Sequence, residues 1–208
     1  CKARGIKPII GLDAYLAPRS RLDKETRVDN RFARLVLLAR NETGYRNLLK
    51  LVTVSHLEGF YYKPRIDHEL LERLSDGLIA ILPLSRSELS RSLSEGDRSG
   101  AEVLIDWYLK TFGKDNLYLE ITRHPEIESH EELVTRVVAF GREKHIPLVA
   151  AHDVFYLKPE DRKARETLLR IQTGAPEPEQ NAWGETEEDF SFIGPDVVEE
   201  YFRDLPDA

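Results

Sequence analysis

Three stretches, in this order along the chain, indicate the fold: LIAIL at residues 78–82, AEVLIDWYLKTFG at residues 101–113 and LYLEI at residues 117–121. The two five-residue runs are almost wholly apolar, which predicts buried strands. Between them, Ala101, Ile105 and Tyr108 lie at helical spacing, and Gly113 is placed to end the helix. A strand, a helix and a second strand in this order predict an α/β unit with parallel strands.

The same alternation extends in both directions along the chain. Further strands are predicted at Pro8–Leu16, Arg34–Ala39 and Pro147–Ala151, and a short last one at Phe190–Ile193 before a helix at Pro195–Phe202. Five main strands separated by helices predict an α/β fold with a largely parallel sheet. Residues 175–189 are rich in Pro, Glu and Gln and are expected to leave the core. We therefore divide the chain into residues 1–174, the α/β body, and residues 175–208, an excursion followed by a closing strand and helix.

Composition excludes several classes of protein. The chain has 208 residues, a net charge of −7 and a single cysteine, Cys1. No apolar run is long enough to cross a membrane, and one cysteine cannot form an internal disulfide, which fits a cytoplasmic protein. An acidic chain is not suited to wrapping nucleic acid. The basic residues of segment 19–27 are interspersed with acidic ones, which predicts a solvated, mobile loop.

Polar side chains follow the predicted strands, where functional groups of parallel sheets collect. Asp13 interrupts the first strand, His124 follows the strand at 117–121, and His152 and Asp153 follow the strand at 147–151. Carboxylates and imidazoles converging there are the donors that a hydrolytic Zn²⁺ or Mn²⁺ site requires. Each also has a structural interpretation, because an aspartate after a strand is often a turn or cap residue and His124 can be a loop residue.

Several segments resemble the PHP (polymerase and histidinol phosphatase) domain of the alpha subunit of bacterial replicative DNA polymerase III. The most specific is EGFYYKPRID at residues 58–67. It is accompanied, in the order of the family, by GIKPIIG at 5–11, LVLLARNETGY at 35–45, DVFYL at 153–157 and IQTG at 171–174.

This resemblance implies a distorted (β/α)7 barrel. The HxH and TDHG-like motifs of the family's first strands would lie upstream of Cys1, so we expect an incomplete barrel that lacks its first βα units. The catalytic aspartates of the polymerase domain would lie beyond Ala208. Nucleotidyl transfer would therefore belong to a longer parent protein, and the present chain is expected not to catalyse it.

The resemblance also implies that most metal ligands are lost. The ligand positions that keep a carboxylate are Asp13 and Asp153, whereas Arg34, Leu84 and Phe155 stand at positions where the family has ligands. Arginine cannot release its proton to bind a cation, and Leu and Phe have no donor atoms. His152 would be a substitute by position only. No cofactor is therefore expected.

Two functions from different classes remain. By this resemblance, the first is a non-catalytic scaffold of the replicative polymerase, which docks the proofreading exonuclease subunit and contacts the rest of the polymerase chain. In that case DNA is reached only through the parent polymerase, and no membrane partner is expected. The alternative is a metal-dependent phosphoesterase or 3′–5′ exonuclease, using zinc or manganese, that is complete only with an N-terminal segment. Without a metal, Asp13 and Asp153 need another cation, and strand alternation predicts that the Arg34 guanidinium hydrogen-bonds one of them.

Overall fold

The computed structural model describes residues 1–124, 128–173 and 189–208. Their strands form one six-stranded sheet in the order β3-β1-β2-β4-β5-β6. The strands are β1 (Gly11–Leu16), β2 (Ala33–Ala39), β3 (Arg65–Ile66), β4 (Leu78–Leu82), β5 (Leu117–Ile121) and β6 (Leu148–Ala150). The described helices are α1 (Glu42–Leu57), α2 (His68–Leu74), α3 (Glu88–Ser94), α4 (Arg98–Phe112), α5 (Glu128–Lys144), α6 (Arg162–Thr173) and α7 (Pro195–Tyr201).

The α/β class and the largely parallel sheet are confirmed. Strand β2 is the exception, since it pairs antiparallel with both β1 and β4, and the other pairings are parallel. The N-terminal end of β2 therefore lies at the same edge of the sheet as the C-terminal ends of the other strands. This reversal brings Arg34, near the start of β2, to the edge where function is expected.

Strand alternation separates the two faces of the sheet. Leu35 and Leu37 of β2 are buried in the main core with Leu16, Leu82 and Leu119, and Leu51 of α1 and Ile105 of α4 belong to the same cluster. The opposite face carries partly exposed residues at alternate positions of β1, β2, β4 and β5. The polar residues of the candidate site lie on this second face.

Several boundaries differ from the sequence prediction. Strand β1 begins at Gly11, although the carbonyl oxygen of Ile10 still accepts a hydrogen bond from the N–H of Ala39 in β2. The two-residue strand β3 is too short to show a pattern. The predicted strand at Phe190–Ile193 is reduced to a single bridge between Ser191 and Tyr156. The predicted end of α6 at Gly174 and most of the excursion at 175–189 lie outside the described residues. Among the described helices, none is long and apolar enough to cross a membrane.

The expectation of a solvated loop at residues 19–27 is wrong for Arg21, whereas residues 24–27 are exposed. Arg21 is buried and bonds Asp67, Glu58 and Glu69, at 3.1, 3.0 and 2.8 Å. Arg19 donates to the fully buried Asp29 at 2.6 Å. Arg21 is thus paired with residues far along the chain and holds this segment on the body of the protein, whereas Arg19 pairs with the nearby Asp23, Glu25 and Asp29.

Candidate functional site

The centre of the candidate site is an ion pair between neighbouring strands. In the β1–β2 ladder, Tyr15 lies opposite Arg34 and Asp13 lies opposite Val36, so Asp13 and Arg34 are diagonal neighbours on one face. The Arg34 guanidinium donates to both oxygens of Asp13, from Nε to Oδ1 at 3.2 Å and from Nη2 to Oδ2 at 2.8 Å. The hydrogen bond expected for Arg34 is therefore present, with Asp13 as its partner.

This pair is more open to solvent than a buried charge site. The Arg34 side chain is 20% exposed and that of Asp13 is 53% exposed. The third guanidinium nitrogen of Arg34, Nη1, lies 3.4 Å from the Ser85 hydroxyl. Burial lowers the pKa of Arg34, but its hydrogen bond with Asp13 and the charges of Asp13, Asp153 and Glu120 outweigh this effect and raise the pKa overall. The guanidinium thus serves as a common positive charge for three carboxyl groups.

Glu120 on β5 belongs to the site although sequence reasoning did not select it. Burial and the nearby Asp153 carboxylate raise its pKa to about 7, even though Arg34 and the backbone N–H of Leu84 act in the opposite direction. The signal available in the sequence was its position as the one charged residue in LYLEI, on the face that β5 shares with Arg34 of β2. A carboxyl group that is half-protonated near neutral pH is typical of functional sites, though also of buried ion networks.

His124 and Asp153 form the other side of the site. His124 is buried, and its Nε2 lies 3.7 Å from Asp153 Oδ2, which is too long for a hydrogen bond. That nitrogen has no hydrogen-bond partner within the described residues. Burial of Asp153 by itself raises its pKa, but the His124 imidazole and the Arg34 guanidinium outweigh burial and hold the pKa below its ordinary value. His124 therefore lies in the loop after β5, as its structural interpretation predicted, but its ring is buried in the protein.

His152 faces the backbone rather than a carboxylate. Its Nε2 lies 3.1 Å from the carbonyl oxygen of Ser191, and its ring centre is 6.0 Å from that of His124. Burial and the neighbouring His124 lower its pKa. The structure therefore brings His152 close to the site and engages one of its nitrogens in a structural contact.

The two remaining positions of interest carry apolar side chains. Leu84 is buried in the main core. Phe155 is half-exposed, packs its ring 5.0 Å from that of Phe190 and lies 4.1 Å below the guanidinium of Arg165. Neither can supply a metal ligand.

The donor set of the described residues does not fit the zinc or manganese centre of active members of the family that the sequence resembles. The Asp13 carboxylate is already neutralised by Arg34 on both oxygens. Within residues 1–124, 128–173 and 189–208, no group of three or more His, Cys, Asp or Glu side chains is arranged to hold a metal ion. A tetrahedral or octahedral site needs more converging donors than these.

Comparison with known proteins gives two findings. The sequence profile of the PHP domain family matches residues 1–124. The chain is also 40% identical over 208 residues to the DNA polymerase III subunit alpha of Borreliella burgdorferi, covering all of this chain and 18% of that protein.

Two more relatives carry the same name. The chain is 39% identical over 174 residues to the DNA polymerase III subunit alpha of Treponema pallidum, and 38% identical over 177 residues to that of Aquifex aeolicus. These alignments cover 83% and 82% of this chain and 15% of each relative. The chain therefore spans less than a fifth of the length of these relatives.

Proposed function

The chain belongs to the PHP domain family, and on that premise we propose that it is the PHP domain of a replicative DNA polymerase III alpha subunit, serving DNA replication as a non-catalytic scaffold in the cytoplasm. Similarity to alpha subunits over the whole chain supports the assignment to replication. In this proposal the chain forms part of an incomplete (β/α)7 barrel, its partners are the rest of the polymerase chain and a proofreading exonuclease subunit, and DNA is reached only through the polymerase.

The observation that carries the scaffold proposal is the ion pair between Arg34 and Asp13. A metal ion at this position would have to compete with a guanidinium that donates to both carboxylate oxygens. Arginine stays protonated at any physiological pH, so it cannot become a ligand itself. The cation that organises the strand ends is therefore a side chain, and a side chain cannot activate water as a bound metal does.

Helix α1 offers a surface for the proposed partner. Tyr45, Leu49 and Val52 are exposed and lie on one face of the helix, at spacings of four and three residues. Leu57 and Phe60, at and just beyond its C-terminal end, are exposed as well. An apolar stripe of this kind on a helix is typical of a surface that packs against another protein.

A binding titration with the proofreading exonuclease subunit of the same organism tests this proposal. We expect binding by the wild-type protein and binding weakened about tenfold or more by Leu49→Asp, which places a charge in the proposed interface. The matched control is Val103→Asp, at a more exposed apolar position on α4, and it should leave the affinity unchanged. No binding by the wild-type protein would contradict the exonuclease as partner, and equal effects of the two variants would contradict α1 as the surface.

A second candidate, a metal-dependent phosphoesterase or 3′–5′ exonuclease, is favoured by the state of His124. His124 has a buried imidazole nitrogen with no hydrogen-bond partner among the described residues, and it lies near Asp153, whose charge also raises the pKa of Glu120 to about 7; this is the kind of arrangement found in hydrolytic sites. An assay for Mn²⁺- or Zn²⁺-dependent hydrolysis of single-stranded DNA separates the two functions. Activity that is lost in Asp153→Asn would establish the enzyme and exclude the scaffold.

A further inference from the structure

A pocket of about 310 Å³ opens beside the ion pair and is strongly basic. Four of the seven residues that line it are arginines, namely Arg31, Arg34, Arg86 and Arg91, and none of the seven is acidic. The chain as a whole carries a net charge of −7, so this pocket departs from the average surface. A concave site with like charges converging on it attracts ions of the opposite sign.

Two of these arginines, Arg31 and Arg91, can use their charge to bind a ligand. Arg34 is neutralised by Asp13. Arg31 and Arg91 are exposed, and neither side chain forms a hydrogen bond or ion pair in the described part of the chain. A guanidinium carries five N–H donors in a planar fork that matches the oxygens of a phosphate group.

The walls of the pocket are held in place before any ligand arrives. Arg65 Nη1 donates to the carbonyl oxygen of Asp29 at 2.7 Å, which fixes the backbone leading to Arg31. The backbone N–H of Arg34 donates to the carbonyl oxygen of Arg86 at 2.9 Å and ties that turn to β2. Arg91 is carried by α3. The backbone that carries these arginines is therefore fixed before a ligand binds, and the cost of binding is the rotamer freedom of the Arg31 and Arg91 side chains.

Aromatic rings complete the lining. Tyr15 and Phe32 line the pocket together, with ring centres 4.6 Å apart in an edge-to-face contact. Arginines bind phosphate, and aromatic rings present a face on which any nucleobase can stack. The volume lies at the lower end of the range for small-molecule pockets, which suits one nucleotide and no more.

We propose that this pocket binds a nucleoside monophosphate, with its phosphate on Arg31 and Arg91 and its base against Tyr15 and Phe32. The ligand is either a free nucleotide or the phosphorylated end of a DNA strand, which present the same chemical groups. No bond is made or broken in this proposal. It is independent of whether the protein docks an exonuclease.

The test is isothermal titration calorimetry of the protein with thymidine monophosphate, thymidine, inorganic phosphate and a 5′-phosphorylated oligothymidylate. We expect the monophosphate to bind more tightly than inorganic phosphate, and thymidine to bind too weakly to detect. The double variant Arg31→Gln/Arg91→Gln should bind the monophosphate at least about tenfold more weakly. Arg46→Gln/Arg73→Gln is the matched control, since both arginines are exposed and lie on other helices, and its affinity should equal that of the wild type.

Each outcome bears on the proposal. Equal affinity for thymidine monophosphate and the phosphorylated oligonucleotide indicates a site for free nucleotides, and tighter binding of the oligonucleotide indicates a site for a strand end. Both results support the proposed site provided that the double variant loses binding. Equal binding by the wild type and the double variant overturns it, as does binding of thymidine as tightly as the monophosphate. Both substituted arginines are exposed, so the melting temperature of the double variant should match that of the wild type. The variant Phe32→Leu provides a separate test of the contact between the nucleobase and the aromatic rings.

Discussion

At the scale of single residues, Arg34 sets the electrostatics of the strand ends. Its bidentate contact with Asp13 is a strong geometry for a charge-assisted hydrogen bond, yet half of the Asp13 side chain faces solvent. The strength of an ion pair depends on how much water screens it, and exposed pairs contribute little to stability. The ion pair of Arg34 with Asp13 therefore contributes less to the free energy of unfolding than a fully buried pair would.

We predict that Arg34→Leu lowers the free energy of unfolding by about 1 kcal/mol rather than by the roughly 3–5 kcal/mol typical of a broken buried pair. A double-mutant cycle with Asp13→Asn, followed by urea denaturation, isolates the pair and should give a coupling of about 0.5–1 kcal/mol. Arg46→Leu, which breaks an exposed pair with Glu42 on α1, is the control and should cost less. A coupling of zero would show that the pair contributes nothing to stability.

Glu120 is the residue whose ionisation is most strongly coupled to folding in the site. Its pKa in the folded protein is about 7, against an ordinary value of 4.5. Between these two values the folded state holds a proton that the unfolded state has released. Stability from this group is therefore present below pH 4.5 and is lost as the pH rises towards 7.

Replacing Glu120 with Gln should remove this loss. We expect Glu120→Gln to match the wild type near pH 4 and to be more stable at pH 8, by at most about 3 kcal/mol, the free energy that corresponds to the raised pKa. Denaturation curves at a series of pH values measure the difference, with Glu160→Gln, an exposed glutamate outside the site, as the control. A variant less stable than the wild type at pH 8 would mean that the ionised carboxylate is stabilised in the folded protein.

At the scale of secondary structure, the two-residue strand β3 holds the loop at residues 17–32. Arg65 of this strand is fully buried, and its guanidinium donates to the backbone carbonyl oxygens of Arg21, Asp23, Asp29 and Gly59 at 2.7–3.0 Å. Burial lowers the pKa of Arg65, although the charge of Asp29 opposes this. One side chain thus replaces the backbone ladder that a longer strand would provide.

We predict that Arg65→Met costs about 3–5 kcal/mol, because four buried carbonyl oxygens lose their donor. Arg65→Lys keeps the charge but cannot reach four acceptors at once, so it should recover only part of the loss. Limited trypsin digestion should then cleave faster within the loop, at Lys24 and Arg27. Arg46→Met serves as the control at an exposed site, and a cost for Arg65→Met below about 1 kcal/mol would show that the loop is held by other contacts.

At the scale of the whole molecule, one face of the sheet is packed against helices and the other collects charge at one edge. The reversed strand β2 places Arg34 among carboxyl groups that come from β1, from β5 and from the segment after β6. At this edge one guanidinium faces three carboxyl groups, and the pKa of one of them, Glu120, is raised to about 7. A transition metal would add positive charge where a guanidinium already lies.

We therefore predict that the purified protein retains no stoichiometric zinc or manganese after exhaustive dialysis, as measured by elemental analysis. Arg34→His is the informative variant, because it removes the competing cation and supplies an imidazole beside Asp13. A gain of metal in this variant would show that Arg34 is what excludes the ion. One tightly held transition metal ion in the wild type would contradict the scaffold function.

Much of this protein follows from local patterns in the sequence. Apolar runs and helical spacing predict the α/β class and the core of β2, β4 and β5, because both depend on residues close together in the chain. The contact between Arg34 and Asp13 was also predictable, since alternation along a strand fixes which face a side chain occupies. Strand β3 and Glu120 were missed, the first because two residues show no period and the second because a single glutamate in an apolar strand gives no sign of its neighbours.

Tertiary structure decided the rest. The cluster of Arg31, Arg86 and Arg91 and the burial of Arg21 join residues that lie tens of positions apart, and such contacts depend on the order and direction of the strands. The direction of β2 cannot be deduced from its own composition, because an apolar run predicts a buried strand without specifying its orientation. Once that direction is set, charges that seem scattered in the sequence meet at one edge, and Arg21 finds its partners outside its own loop.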